Sequence, residues 1–221
     1  VLPNIINKTV VQILKGELYQ SVAAIEAYCH FYRLFTHLVK EFELQEIIDA
    51  KVENMLKGEA YRSKSLLGDM GEFLVILANS KYGLFNEEVN EVLIEEYFAR
   101  QVKWVLRADH TLRNRGPGFI TNFFKHAKVS NQLLCFAMAT ANFLLKDCSL
   151  AEFDSWYGCL PPKMIQELRG RLKAIRKSVK GNWRVLIDII GLQKKVSDED
   201  TMAKLLNQAF VISGRQGYTR L

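Results

Sequence analysis

Asn131-Gln132-Leu133-Leu134-Cys135-Phe136-Ala137-Met138-Ala139-Thr140-Ala141-Asn142-Phe143-Leu144-Leu145-Lys146 is the stretch that decides the fold. Plotted on a helix, its apolar residues leave no side polar. A helix that is apolar all round is wrapped by other helices. Thr140 and Asn142 interrupt the run, and Lys146 with Asp147 ends it. It falls well short of the roughly 20 apolar residues that cross a bilayer. The reading is a central core helix in a water-soluble helical domain.

The flanks agree. Pro3 sits where a first helical turn tolerates it, ahead of Ile5, Ile6, Val10, Ile13 and Leu14. A long helix follows from about Ser21 to Phe42, its apolar side formed by Val22, Ile25, Cys29, Tyr32, Phe35, Leu38, Val39 and Phe42. A third runs from Leu44 to about Leu56, with Gly58 as its stop signal. Met70 to Ala78 is apolar enough for a buried strand, but Leu66, Met70, Phe73, Leu74 and Leu77 recur at helical spacing and its neighbours are helical. Asn86 caps a helix reaching about Arg107, with Glu87, Glu88 and Glu91 at its positive end. Asp109 to Gly118 is the clearest loop, and a helix from Phe119 bends near Lys128 to Ser130 into the central one.

Beyond the core, Ser149 caps a short helix through Trp156, and Gly158, Pro161 and Pro162 break the chain. Lys163 to Lys180 follows as a helix with a narrow apolar stripe of Met164, Ile165, Leu168, Leu172, Ile175 and Val179. Trp183 to Ile190 is the next helix. Ser197 caps the last one, with Asp200 in the capping-box position, and Gly214 to Leu221 is expected to be a mobile tail. The fold class is therefore all-α, with about nine to eleven helices. One domain spans residues 1–221, with subdomain breaks conceivable near 109–118 or 158–162. The start at Val1 rather than Met suggests a piece of a larger protein.

Composition narrows the class. The 221 residues are 49% hydrophobic and 24% charged, which are globular values. The four cysteines show no disulfide framework: Cys29 and Cys135 lie in apolar helical patterns, and Cys148 and Cys159 flank a short segment without a neighbouring His. An intracellular, reducing compartment (cytoplasm or nucleus) follows as the expectation.

The net charge of +6 is unevenly spread. Glu41, Glu43, Glu46, Asp49, Glu53 and Glu59 make an early segment acidic. The basic excess lies later, with Lys163, Arg169, Arg171, Lys173, Arg176, Lys177, Lys180 and Arg184 set against Glu167. Arg169, Lys173, Arg176 and Lys180 fall on one side of a helix at spacings of three and four, a row able to neutralise several phosphates or carboxylates. Trp183 follows it, and single-strand recognition would need that ring for stacking. Equally, the row is an ordinary solvated face with Trp183 in the core. Arg107, His110, Arg113 and Arg115 precede Gly116-Pro117-Gly118 and the next helix start, a second place where an anion could sit; the same residues also make a plain charged connection.

Catalytic signatures are missing. No Gly-x-Ser-x-Gly occurs, and neither phosphate-loop pattern fits 116–118. Glu26, His30 and His37, with Glu41, share one side of a helix, but ligands strung along one helix do not converge on an ion unless a second helix contributes. No cofactor is expected. The leading expectation is a non-enzymatic interaction or scaffolding domain. It presents Arg113, Arg115, Lys163, Arg169, Lys173, Arg176, Lys177, Lys180 and Arg184 to a protein partner with an acidic surface. RNA or DNA binding by the same residues is the alternative, and an enzyme built on the His/Glu stripe or the His110/His126 region is the third.

Overall fold

The computed structural model describes residues 1–15, 21–146, 155, 160–179 and 182–219. Among these there are eleven α-helices and no strand: α1 Leu2–Lys15, α2 Val22–Glu41, α3 Gln45–Lys57, α4 Lys64–Leu67, α5 Met70–Ala78, α6 Glu87–Ala108, α7 Phe119–His126, α8 Lys128–Lys146, α9 Pro162–Ser178, α10 Trp183–Ile190 and α11 Glu199–Arg215. Short 3₁₀ turns at Glu59–Tyr61 and His110–Asn114 join them. The all-α architecture expected from the apolar periodicities is the one observed.

Helix α8 is the axis. From Asn131 to Ala141 no side chain is exposed. Leu134, Cys135, Phe136, Met138 and Ala141 are buried, as are the polar Asn131, Gln132 and Thr140. Helices α1, α5, α7, α9 and α10 pack around it. The buried polar groups have partners. The Thr140 hydroxyl donates to the Phe136 carbonyl at 2.6 Å, and Gln132 donates to the Arg176 carbonyl at 3.3 Å. The Cys135 thiol is pushed up to about 12 by burial, so it stays protonated and packs as a small apolar group. The bend expected before α8 is a helix break at Ala127, where α7 ends.

Helix α5 is a helix and not a strand, with Phe73, Leu74, Val75, Ile76 and Leu77 all buried. Its Gly71 lets α1 approach closely: a Cβ there would lie 1.9 Å from Asn7 Oδ1. Further along, α6 and α11 form the most extensive helix pair. Phe98, Phe119, Phe123, Phe124 and Phe210 lock α6, α7 and α11 together through mostly edge-to-face rings 5.6–6.4 Å apart. One contiguous set of buried apolar side chains runs from Ile6 to Ile212.

Four expectations need correction. Val22 and Phe42 are exposed, and Tyr28, outside the expected stripe, takes a buried place on α2. The α11 cap sits one residue later than expected. Asp198 accepts from the Thr201 amide at 2.8 Å, and Thr201 Oγ1 accepts from the Asp198 amide at 3.2 Å, closing a capping box. The tail after α11 is not free over Gln216–Thr219. The Tyr218 amide donates to the Ser213 carbonyl at 2.9 Å, and its hydroxyl donates to Glu96 Oε1 at 2.7 Å. Fourth, the helix holding the basic row closes at Ser178. Cys148, Cys159, Lys180, Gly181 and all of the expected Ser149–Trp156 helix except Ser155 lie outside the described residues.

Candidate functional site

The last turn of α1, the first turns of α8 and the C-terminal half of α9 converge on one side of the core. Between them lies an open groove of about 550 Å³, lined by Leu14, Lys15, Lys128, Val129, Gln132, Lys173, Arg176 and Lys177. Five of these described residues are cationic and none is acidic. The local reasons are simple. Lys15 is the last-turn cation of α1, and Arg176 and Lys177 are the last-turn cations of α9, where the negative helix end favours positive charge. Lys128 opens α8. Leu14 turns inward and is buried, so the helix that presents Lys15 is anchored. The hydrogen bond from Gln132 to the Arg176 carbonyl fixes α8 against α9 beneath the cations.

Clustered like charges repel, and holding five of them around one cleft has a cost that a bound anion would offset. Chemically, the groove can hold phosphates or carboxylates through lysine point charges and the Arg176 fork. Its lining has no His, Cys, Ser or acid among the described residues to carry a proton or act as a nucleophile.

The nine basic residues singled out in the sequence do not share one place. Lys173, Arg176 and Lys177 line the groove; Lys163 is exposed at the start of α9, and Arg169 is half-buried. Lys180 lies outside the described residues. Arg184 lays its guanidinium 4.3 Å over the Trp183 ring and donates to the Ser197 carbonyl at 3.1 Å. Trp183 itself is only 7% exposed, so it serves the core and offers no stacking surface. Arg115 adopts a left-handed backbone with φ of 49°, lies 5.1 Å over Phe210 and donates to Asn207 at 3.3 Å. Arg113 is exposed on the same connection. Neither lines the groove, so the Asp109–Gly118 connection and α9 are separate basic features.

The His/Glu stripe disperses as well. Glu26 Oε1 accepts from the Leu160 amide at 3.1 Å, which ties the chain entering α9 to α2. His30 is half-buried and His37 exposed. His126 lies 3.8 Å from Asp109, whose carboxyl is held below its usual range, first by the Thr111 hydroxyl and backbone amide and less by His126 and His110. Among the described residues, no group of three or more His, Cys, Asp or Glu could hold a metal ion.

Two groove residues, Lys15 and Lys128, were missed because they lie on helices other than the basic one. Convergence between helices leaves no trace in the periodicity of either. Trp104 on α6 is exposed as well, at 61%. Its spacing from Val102 and Val105 was the available signal, since it falls outside their inward stripe.

Comparison with protein-family models, curated proteins and solved structures finds no match to this chain. No described helix is long and apolar enough to cross a membrane.

Proposed function

We propose that this chain is a non-enzymatic interaction domain that takes an acidic partner in the groove between α1, α8 and α9. The observation that carries the reading is the lining itself: Lys15, Lys128, Lys173, Arg176 and Lys177 surround one cleft, and none of the described residues lining it is acidic. The exposed lysines on α8 and α9 are pre-arranged by packed helices, which lowers the ordering cost of binding. An intracellular, reducing setting fits the buried thiols of Cys29 and Cys135. Arg184 and Arg115 belong to the reading only as peripheral charges, since each already contacts an aromatic ring of its own fold.

The test is salt elution from an immobilised polyanion. Lys173→Glu/Lys177→Glu should elute at clearly lower salt than the parent. The charge-matched Lys194→Glu/Lys204→Glu, on and before α11, should elute close to the parent. Equal shifts for both pairs would mean that net charge alone is being read, and the groove would lose its role.

A further inference from the structure

The turn between α2 and α3 protrudes from the surface. Of residues 41–47, all but Leu44 are exposed. Phe42 is 64% and Ile47 69% exposed, and Glu41, Glu43 and Glu46 lie among them. Lys40 is the nearest cation in sequence. The turn has a fixed shape. The Leu44 amide donates to the Val39 carbonyl at 3.0 Å and the Glu43 amide to the Lys40 carbonyl at 3.4 Å, which closes the end of α2. That closure needs a left-handed residue, and Glu43 takes the place with φ of 51°. Glycine would fill it at least cost. Glutamate there adds an exposed carboxylate to the corner instead.

Glu41, Glu43 and Glu46 make no ion pair or side-chain hydrogen bond among the described residues, and neither do Lys15, Lys128, Lys173 and Lys177 of the groove. The acidic corner and the cationic groove therefore do not neutralise each other within one copy. Between copies they can. Each also carries apolar surface beside its charges: Phe42 on the corner, and Val129, 36% exposed, in the groove. Resting on the groove reading above, we infer that the acidic partner is a second copy of this chain, with its α2–α3 corner seated in the groove. Glu41, Glu43 and Glu46 meet the groove cations, and Phe42 lies against Val129. The contact is head-to-tail. A copy that gives its corner keeps a free groove, so association runs on from copy to copy unless a ring closes. The net charge of +6 opposes it, and only the segregation of charge lets two copies meet.

The experiment is sedimentation velocity of the full chain from micromolar to millimolar concentration at fixed salt. The parent is compared with Glu41→Lys/Glu43→Lys on the corner and Lys173→Glu/Lys177→Glu in the groove. Glu88→Lys/Asp188→Lys is the charge-matched control for the corner. Circular dichroism first checks that each variant melts like the parent. The parent's average sedimentation coefficient should rise with concentration. The corner pair and the groove pair should each weaken association at least about tenfold, and the control much less. The groove pair takes the net charge from +6 to +2, so an effect of overall charge alone would strengthen association there. An equimolar mixture of the corner and groove variants should associate again, because each carries the half that the other lacks. A parent that stays monomeric throughout would overturn the inference. If it still elutes from the polyanion in the groove-dependent way given above, the groove belongs to a foreign acidic partner. If that elution fails as well, the groove reading goes with it. Association that survives the groove pair, falls equally in the control or is not restored by mixing would also overturn the inference.

Discussion

Replacing Arg100 by Leu should be among the most damaging single changes outside the apolar core. The Arg100 side chain is 13% exposed and pairs with Glu96, whose side chain has no exposure at all. Its Nε donates to Glu96 Oε1, its Nη1 to the Gly68 carbonyl and its Nη2 to the Arg62 carbonyl, each at 2.6 Å. Arg100 therefore joins α6 to the segment that enters α5. Glu96 Oε2 has no partner among the described residues, so after the substitution the carboxylate keeps only the Tyr218 hydroxyl. Removing one member of a buried pair costs about 3–5 kcal/mol, because the other charge is left uncompensated. Two carbonyls losing their donor add to that, and local water entry subtracts from it. A loss of about 4 kcal/mol is expected, a large part of a total stability of about 5–15 kcal/mol.

The assay is urea unfolding followed by circular dichroism, applied to Arg100→Leu, Glu96→Gln and the double variant. Since the partner charge is what makes each single change costly, the double variant should recover about 2 kcal/mol or more relative to the sum of the singles. Single losses below about 1 kcal/mol, or costs that simply add, would refute the claim that Glu96 and Arg100 form a buried, mutually dependent pair.

Other consequences follow from packing and titration. Phe136→Ala on α8 should cost about 3–5 kcal/mol in the same unfolding assay, since the ring is wholly buried and contacts Tyr28 at 5.3 Å between centroids. Gly71→Ala should cost about 1–3 kcal/mol, because the new Cβ forces Asn7 aside at the α1–α5 contact, and thermal melting will read it. Asp198 titrates below the usual carboxylate range because the Thr201 amide and hydroxyl and the Ser197 hydroxyl bind its charged form. A depressed folded-state pKa means that its stabilisation is full above about pH 4 and fades as pH falls through the lower folded value. The gap in unfolding midpoint between the parent and Asp198→Ala should therefore narrow as the pH falls below the ordinary Asp value of about 4; a gap that widens there contradicts the cap.

What the sequence made legible was whatever repeats along one helix. The apolar wrap of Leu133–Ala141, the stripe Met164–Val179 and the Asn86 cap can be read residue by residue, because helical spacing puts neighbours at three and four on one face. Illegible was whatever depends on two helices meeting. Lys15 and Lys128 look like ordinary charges until α1 and α8 are set beside α9. Arg184 and Arg115 looked available, yet each lies over an aromatic ring supplied by its own fold. Tyr218 looked like part of a loose end because nothing nearby in sequence reveals Glu96, 122 residues away. Trp183 beside the basic row is buried, whereas Trp104, far from it in sequence, is exposed.

Everything here depends on α8 being enclosed, since its position brings α1 and α9 together around the groove. Native-state hydrogen exchange tests this directly. Amides from about Gln132 to Leu144 should exchange among the slowest in the chain, through openings close in free energy to global unfolding. Exchange of those amides as fast as that of the outer turns of α9 would show that α8 is not the enclosed axis, and would contradict the account.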